Sequence, residues 1–483
     1  MLHPLKEIAV TSIKWTAFET AARQGVQLVL AMVLARLLTP SEFGVMALAM
    51  VFVAASSLLI EGGFGVALVQ KPNLSDLETS SVFYLGVATA CAMAVFFALA
   101  APYIAAFFEM PILEPVTRVL SVSFVIGSFG GVHSSLLAKK MQFGKLARIS
   151  LSASAVSSVV AVVMAWNGWG IWSLVGQSLA AITVSSVVVW FVSDWRPKLV
   201  FSLSALRPLF RFGVFIVGAN LLETIVGRVY TLIIGKFYSP ADLGFYSRAD
   251  STLALPNNFT SGIINRVAMP LFSAAAHDAD LLRQAFRKAV RVTVYVHAPI
   301  MAGVFVASGP LILTFFGHQW APAIPYLQVL AFAGLCWMLG AVNDGYLKAT
   351  GRSKAFFNIE LFKKILLLAV ALATVRFGIL AMVIGVSLYQ LIAYLLTAWI
   401  AGGGVGYGGL QQMADAWKPL VAALLMMPVS AASLMFTDTP PPLVLAAQTL
   451  SGAASYLLLC WFLRCREQDD LFLQIRGVLG KFA

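Results

Sequence analysis

Apolar runs of about 20 residues, the length that crosses the hydrocarbon of a bilayer, follow one another along almost the whole chain. Fourteen segments can be drawn, at 15–37, 43–60, 82–107, 113–137, 149–166, 170–192, 212–237, 243–272, 292–316, 324–347, 357–375, 379–401, 417–436 and 443–463. The pattern predicts an all-α polytopic membrane protein of about 14 transmembrane helices. The eighth, eleventh and thirteenth segments are the least apolar, so twelve is the alternative count.

Composition sharpens this reading. The 483 residues are 60% hydrophobic and 11% charged, where a soluble domain carries about 25% charged residues. No charged, loop-rich block remains from which to build a large soluble catalytic domain. The outer breaks at 39–42, 239–242 and 317–320 are turn-sized. A membrane-embedded glycan-processing enzyme would need a larger outer loop for its catalytic carboxylates, so an enzyme is not expected. The four cysteines and five histidines form no metal-ligand spacing and no disulfide framework. The basic N-terminus followed by an apolar run resembles a signal peptide, but that run is long and carries Glu19 and Arg23, as expected of an uncleaved first helix.

The net charge of +12 would point to nucleic acid in a soluble chain. In a membrane chain, Lys and Arg collect in cytoplasmic loops. With the N-terminus inside, 25 of the 33 basic residues fall on the inner side, four fall at outer ends and four lie within spans. One missed helix would invert the pattern downstream of it. The expectation is a multi-pass protein of the bacterial cytoplasmic membrane with both termini cytoplasmic and no nucleic-acid partner.

The chain also repeats itself. Positions 34–44, Leu-Ala-Arg-Leu-Leu-Thr-Pro-Ser-Glu-Phe-Gly, match 234–244, Ile-Gly-Lys-Phe-Tyr-Ser-Pro-Ala-Asp-Leu-Gly, in character at essentially every place. A second echo joins 132–137 to 342–347. Duplication explains both, and six helices repeated as six keep one membrane orientation. The expected organisation is an N-lobe at 1–200, a C-lobe at 201–400 and, at 401–483, a Gly-rich connector with two further helices and a cytoplasmic tail. Two parallel repeats around a midplane site is a transporter design.

Gly404-Val-Gly-Tyr-Gly-Gly409 has the letters of a dinucleotide fingerprint but follows no strand, and reads as a connector. Ionisable groups inside spans carry more information, because each is costly there and defaults to function. Glu19, Arg23 and Gln27 are spaced by four and share a helix face. The seventh segment carries Glu223 and Arg228, and the eighth carries Arg248, Asp250 and Arg266. Arg23, Arg228, Arg248, Arg266 and Gln27 are the expected substrate-binding set, since a guanidinium offers phosphate oxygens a planar fork. Glu19, Glu223 and Asp250 are the expected ion-coupling carboxylates, for a proton or sodium gradient; internal ion pairs that only fix packing are the competing reading. Pro256, Pro299 and Pro310 permit bending. No metal or cofactor is expected.

The motifs Ile13-Lys-Trp15, Val33-Leu-Ala-Arg-Leu37, Glu42-Phe-Gly44, Gly63-Phe-Gly-Val-Ala67, Arg266-Val-Ala-Met-Pro-Leu-Phe272 and Gly317-His-Gln-Trp-Ala-Pro-Ala-Ile-Pro-Tyr-Leu327 resemble the Wzx-type polysaccharide transporters, in particular the colanic-acid-exporter branch. The resemblance fades after residue 400. It implies the MOP-superfamily flippase fold, with two six-helix lobes in a V plus two C-terminal helices. It also implies movement of undecaprenyl-diphosphate-linked oligosaccharide from the inner to the outer leaflet by alternating access, for exopolysaccharide or O-antigen-type synthesis. The implied partners are that lipid-linked oligosaccharide, membrane lipid, a polysaccharide polymerase and chain-length proteins. By helix position the diphosphate contact falls on Arg23 and Arg228. A multidrug–cation antiporter and a peptidoglycan-precursor flippase of the same superfamily are the alternatives.

Overall fold

The computed structural model describes residues 2–62, 64–71, 73–275, 278–404, 406–432, 439–465 and 467–468, with backbone alone for parts of the first, eighth and tenth helices. Motif residue Gly63 and the tail beyond 468 lie outside the described residues. The helices are α1 (Leu2–Leu37), α2 (Pro40–Glu61), α3 (Phe64–Gln70), α4 (Asp76–Phe108), α5 (Leu113–Lys139), α6 (Phe143–Trp166), α7 (Trp172–Val192) and α8 (Leu203–Gly227). They continue as α9 (Val229–Phe237), α10 (Pro240–Ala275), α11 (Ala279–Phe315), α12 (Ile324–Ala349), α13 (Ser353–Thr374), α14 (Ile379–Gly402), α15 (Gly409–Ala431) and α16 (Pro441–Phe462). No strand occurs among the described residues.

Each of the fourteen apolar segments falls on helix, the seventh on two. Among the described residues nine helices are long and apolar enough to cross a membrane, ten if the bent pair α8–α9 is one span. This is a multi-pass, all-helical membrane protein. Helices α1, α10, α13 and α15 miss that measure, and each carries charged side chains within or beside its apolar run. Their shortfall is where the chemistry lies.

Packing divides the chain into two compact units, Met1–Gly244 and Phe245–Ala483. In the first, α6 lies against α1 and α7, α5 against α4 and α7, and α8 against α2, α3 and α4. The sequence repeat would place α8 and α9 at the head of the second half, whereas their packing ties them to the first unit. The interruption of the seventh segment is a 43° bend at Gly227–Arg228. By contrast, α10 runs helical through Pro256.

The two copies of the repeated motif fold alike and meet. Thr39 caps α2, its side chain accepting from Glu42 N while Glu42 reaches back to Thr39 N. Ser239 and Asp242 exchange the same two bonds at the start of α10. Such a reciprocal box satisfies two of the donors that a helix start leaves open. The two first turns then cross with backbone against backbone. A Cβ on Gly44 would lie 1.8 Å from the Pro240 carbonyl oxygen, and one on Gly244 would lie 1.9 Å from that of Pro40. Only glycine fits either place, and each motif supplies the glycine that the other needs.

In the second unit α11 packs along α12, α15 and α16, and α14 joins α12 to α13. At its inner end Phe286 stacks on Tyr346 with ring centres 4.4 Å apart. Asn343 and Gln412, both fully buried, exchange two amide hydrogen bonds of 3.1 and 2.8 Å between α12 and α15. Tyr456 of α16 donates to the Tyr295 carbonyl at 2.8 Å. The last two helices, which have no counterpart in the repeat, are thereby docked on α11 and α12. Helix α11 starts at Ala279, well before the apolar run at 292. Its polar extension carries Arg287 and Arg291, which both bind Asp415 of α15 at 2.7 and 3.0 Å.

Candidate functional site: a polar cavity beside Arg23

The spacing of four on α1 does what helix geometry requires. Arg23 Nε donates to Glu19 Oε1 at 3.2 Å, one turn back. Across the helix boundary Ser150 of α6 donates to the same oxygen at 2.7 Å. Glu19 is the more enclosed partner, with 17% of its side chain exposed against 39% for Arg23. The carboxylate is thus held by two donors, while the guanidinium keeps further N–H groups free for a ligand.

This pair stands on the wall of a cavity of about 540 Å³ enclosed by α1, α5, α6 and α7, with Gln27, Ser154 and Gln177 among its other polar lining residues. A second cavity of about 380 Å³ adjoins it and shares Ser134 and Ser185. Glu61, at the end of α2, lines this second cavity. Sequence reading passed over both Glu61 and the serines: Glu61 looks like a loop acid before Gly62, and a serine among alanines and valines carries little hydropathy signal. Their convergence needs the packing of four helices.

The other expected residues are more dispersed. Glu223 is exposed on α8 and Arg228 is exposed at the bend between α8 and α9. Arg228 lines neither cavity; its backbone sits at φ −109°, ψ 10°, the sparsely populated bridge region where site residues are often found. Asp250 is exposed on α10, and the side chain of Arg266 lies outside the described residues. Arg248 is 7% exposed, its guanidinium 4.7 Å from the Phe316 ring centre and 4.9 Å from that of Trp320. That double cation–π seat accounts for a buried arginine by packing.

A cluster that the sequence does not announce joins α12 and α13. Lys363, counted among the inner-side cations, is 9% exposed. It pairs with Asp344 at 3.2 Å and with Glu360 on its own helix. Buried ion pairs of this kind are costly to desolvate and are retained for specificity or switching. Toward the inner face, Asp415 precedes the apolar run of α15. The Arg287 fork, with Arg291 beside it, holds its carboxyl well below the usual carboxylate range.

Comparison with known proteins agrees with this architecture. A family model described as polysaccharide biosynthesis protein matches residues 33–325. The succinoglycan biosynthesis transport protein ExoT of Rhizobium meliloti (strain 1021) is 28% identical over 93% of this chain and 92% of its own length. The lipopolysaccharide biosynthesis protein WzxC of Escherichia coli (strain K12) is 27% identical over 88% of this chain and 87% of its own length. The teichuronic acid biosynthesis protein TuaB of Bacillus subtilis (strain 168) is 24% identical, covering 93% and 94%. Among solved structures, the lipid II flippase MurJ in its inward closed conformation superposes with a TM-score of 0.76 at 16% identity, over 94% of this chain and 99% of that one. An inward-facing MATE multidrug transporter of the MOP superfamily gives 0.62 at 15% identity, over 81% and 95%. These likenesses establish the fold. With the family model spanning more than half of the chain and relatives aligned along nearly all of it, this chain belongs to the polysaccharide biosynthesis protein family and has the fold of the MOP-superfamily transporters.

Proposed function

We propose that the protein is a flippase that carries undecaprenyl-diphosphate-linked oligosaccharide repeat units from the inner to the outer leaflet of the bacterial cytoplasmic membrane. The family membership and the transport and polysaccharide-biosynthesis names of its relatives support the cargo class. One observation carries the reading to residues: Arg23, within an apolar helix, opens onto a polar cavity large enough for a headgroup. A diphosphate and its sugars cannot enter hydrocarbon without losing their hydration, a cost of many kcal/mol for the charges alone. The polyprenyl tail has no such barrier and stays in lipid. The protein's task is to replace water around the headgroup with fixed dipoles and guanidinium groups, exposing it first to one side and then to the other. No bond in the cargo changes, so the reading needs no catalytic residue and no cofactor.

Arg23 and Arg228 are the diphosphate ligands in this proposal, with Gln27 beside Arg23. Arg266 joins them on the evidence of sequence position, and Arg248 secures the outer end of α10 through its aromatic seat. Glu19, Glu223 and Asp250 are the coupling carboxylates: a proton or sodium ion loaded on one side shifts the balance of states only if it binds them unequally. Both termini are cytoplasmic, and a polymerase with its chain-length proteins receives the cargo outside. The experiment is a reconstituted flipping assay with undecaprenyl-diphosphate-linked saccharide under an imposed pH or sodium gradient. Flipping by the parent, lost in Arg23→Ala, is the expected result. Gradient dependence abolished by Glu19→Gln or Glu223→Gln would establish coupling, and gradient-independent flipping would reduce those residues to counter-ions. No flipping by the parent would remove the proposal.

A further inference from the structure

The cavity beside Arg23 holds more hydrogen-bonding capacity than the protein uses. Of its serines, Ser157 and Ser158 donate to the Ser154 carbonyl, Ser178 donates to that of Leu174 and Ser150 donates to Glu19. The side chains of Gln27, Ser134, Ser154, Gln177 and Ser185 make no hydrogen bond among the described residues. They come from four helices, α1, α5, α6 and α7, and all five line the same cavity. Polar side chains placed inside a membrane without partners are costly unless they face water or a polar ligand.

The chemistry of the lining narrows the ligand. The cavity's charges are Glu19 and Arg23, which neutralise each other at 3.2 Å. A free anion or cation therefore finds no net field in its depth. Hydroxyls and amides both donate and accept, which is the pattern of a sugar's own hydroxyls. Flat amide and carboxylate ends can each span two neighbouring hydroxyls. Leu30, Phe143 and Leu146 add apolar wall, against which the C–H face of a sugar ring can pack. A volume of about 540 Å³ lies within the range of about 300–1,000 Å³ typical of small-molecule pockets.

We infer that this cavity is a sugar subsite, which takes the neutral hexose joined directly to the diphosphate while Arg23 at its edge holds the phosphate. The inference rests on the transport reading above and adds a second recognition element to it, inside the first packed unit. Serine hydroxyls turn to suit either partner role, so the subsite recognises a hexose as a class: glucose and galactose should both enter. Glu19 then serves as an acceptor for sugar hydroxyls, in addition to orienting Arg23.

The test compares two probes, undecaprenyl diphosphate and undecaprenyl-diphosphate-linked glucose, by equilibrium binding to the purified full-length protein in nanodiscs. The parent should bind the glucose-bearing lipid about tenfold more tightly, the worth of one or two net hydrogen bonds. Gln177→Leu and Ser154→Ala should each remove about three- to tenfold of that increment and leave binding of the bare lipid as it is in the parent, which also shows that the variants are folded. Equal binding of the two lipids by the parent, or an increment that survives both substitutions, would overturn the sugar subsite while leaving the flippase reading intact. A loss that is the same for both lipids would overturn it too. A parent that binds neither lipid would remove the transport reading and the subsite together.

Discussion

Two arginines illustrate how differently one residue type behaves within spans. Arg248 is enclosed by Phe316 and Trp320 and has no cavity to serve. Arg23 is braced by Glu19 yet open toward a polar space. Arg23→Ala should therefore abolish polymer export at normal protein level, and Arg23→Lys should restore only part, because an ammonium lacks the two-pronged geometry for phosphate oxygens. Arg248→Ala should instead lower the amount and thermal stability of the protein, since the rings lose their cation and the cavity left behind lowers stability. Export measured per folded molecule separates the two; normal stability with lost export in the Arg248 variant would reverse the assignment. Spacing along α1 made Glu19, Arg23 and Gln27 legible as a face. Which arginine is seated and which is open depends on rings some 70 positions away in the sequence, and that cannot be read from local pattern.

At the scale of elements, the helices hold one another by backbone proximity and by charge. Gly44→Ala and Gly244→Ala each drive a methyl group into a carbonyl oxygen, so the first turns of α2 and α10 must separate. The expected cost is at least about 2–3 kcal/mol, read as a lowered melting temperature and aggregated protein in detergent. Gly25→Ala, with open space around it, serves as the control and should be tolerated. The bond between α11 and α15 is electrostatic. Asp415→Asn should cost about 1–2 kcal/mol at neutral pH, the range of a partly exposed, charge-assisted pair. Its sign with pH follows from the depressed folded pKa. The carboxylate's contribution is complete above its unfolded value of about 4 and fades as pH falls below it. The parent and the variant should therefore converge in stability in acid, as thermal unfolding across pH would show; a constant gap would mean that the arginines bind Asp415 without preferring its ionised form. Hydropathy located these helices, and the repeat in the sequence foretold identical caps. It could not foretell that the capped turns touch, nor that α11 would extend inward as a charged helix, because polar extensions carry no hydropathy signal.

At the scale of the molecule, charge counted along the sequence makes a topological statement. In a background lacking Cys91, Cys336, Cys460 and Cys465, a cysteine at Ser204 or Asp278 should be shielded from an impermeant thiol reagent outside whole cells, and one at Gln319 should label. All three positions are exposed in the structure, so the difference reports sidedness. Labelling at Ser204 or Asp278 would require a different number of crossings. Composition, segment spacing and charge asymmetry together made the class and the fold legible. The polar interior of the first unit was not, because its serines and glutamines are scattered over helices that read as apolar.

The crossing of the two first turns has an evolutionary consequence. A chain of half this length would carry Pro40 and Gly44 but no second motif. Two copies of it could make the same contact with each other, since a reciprocal pairing of like surfaces is what two-fold symmetric dimers use. Gene duplication followed by fusion turns such a dimer seam into an intramolecular one and preserves its symmetry at the atoms that touch. Thereafter the two glycines are bound to a common history. A larger residue in either motif meets the backbone of the other, so neither half can drift at this place while the rest of the sequence diverges freely around it.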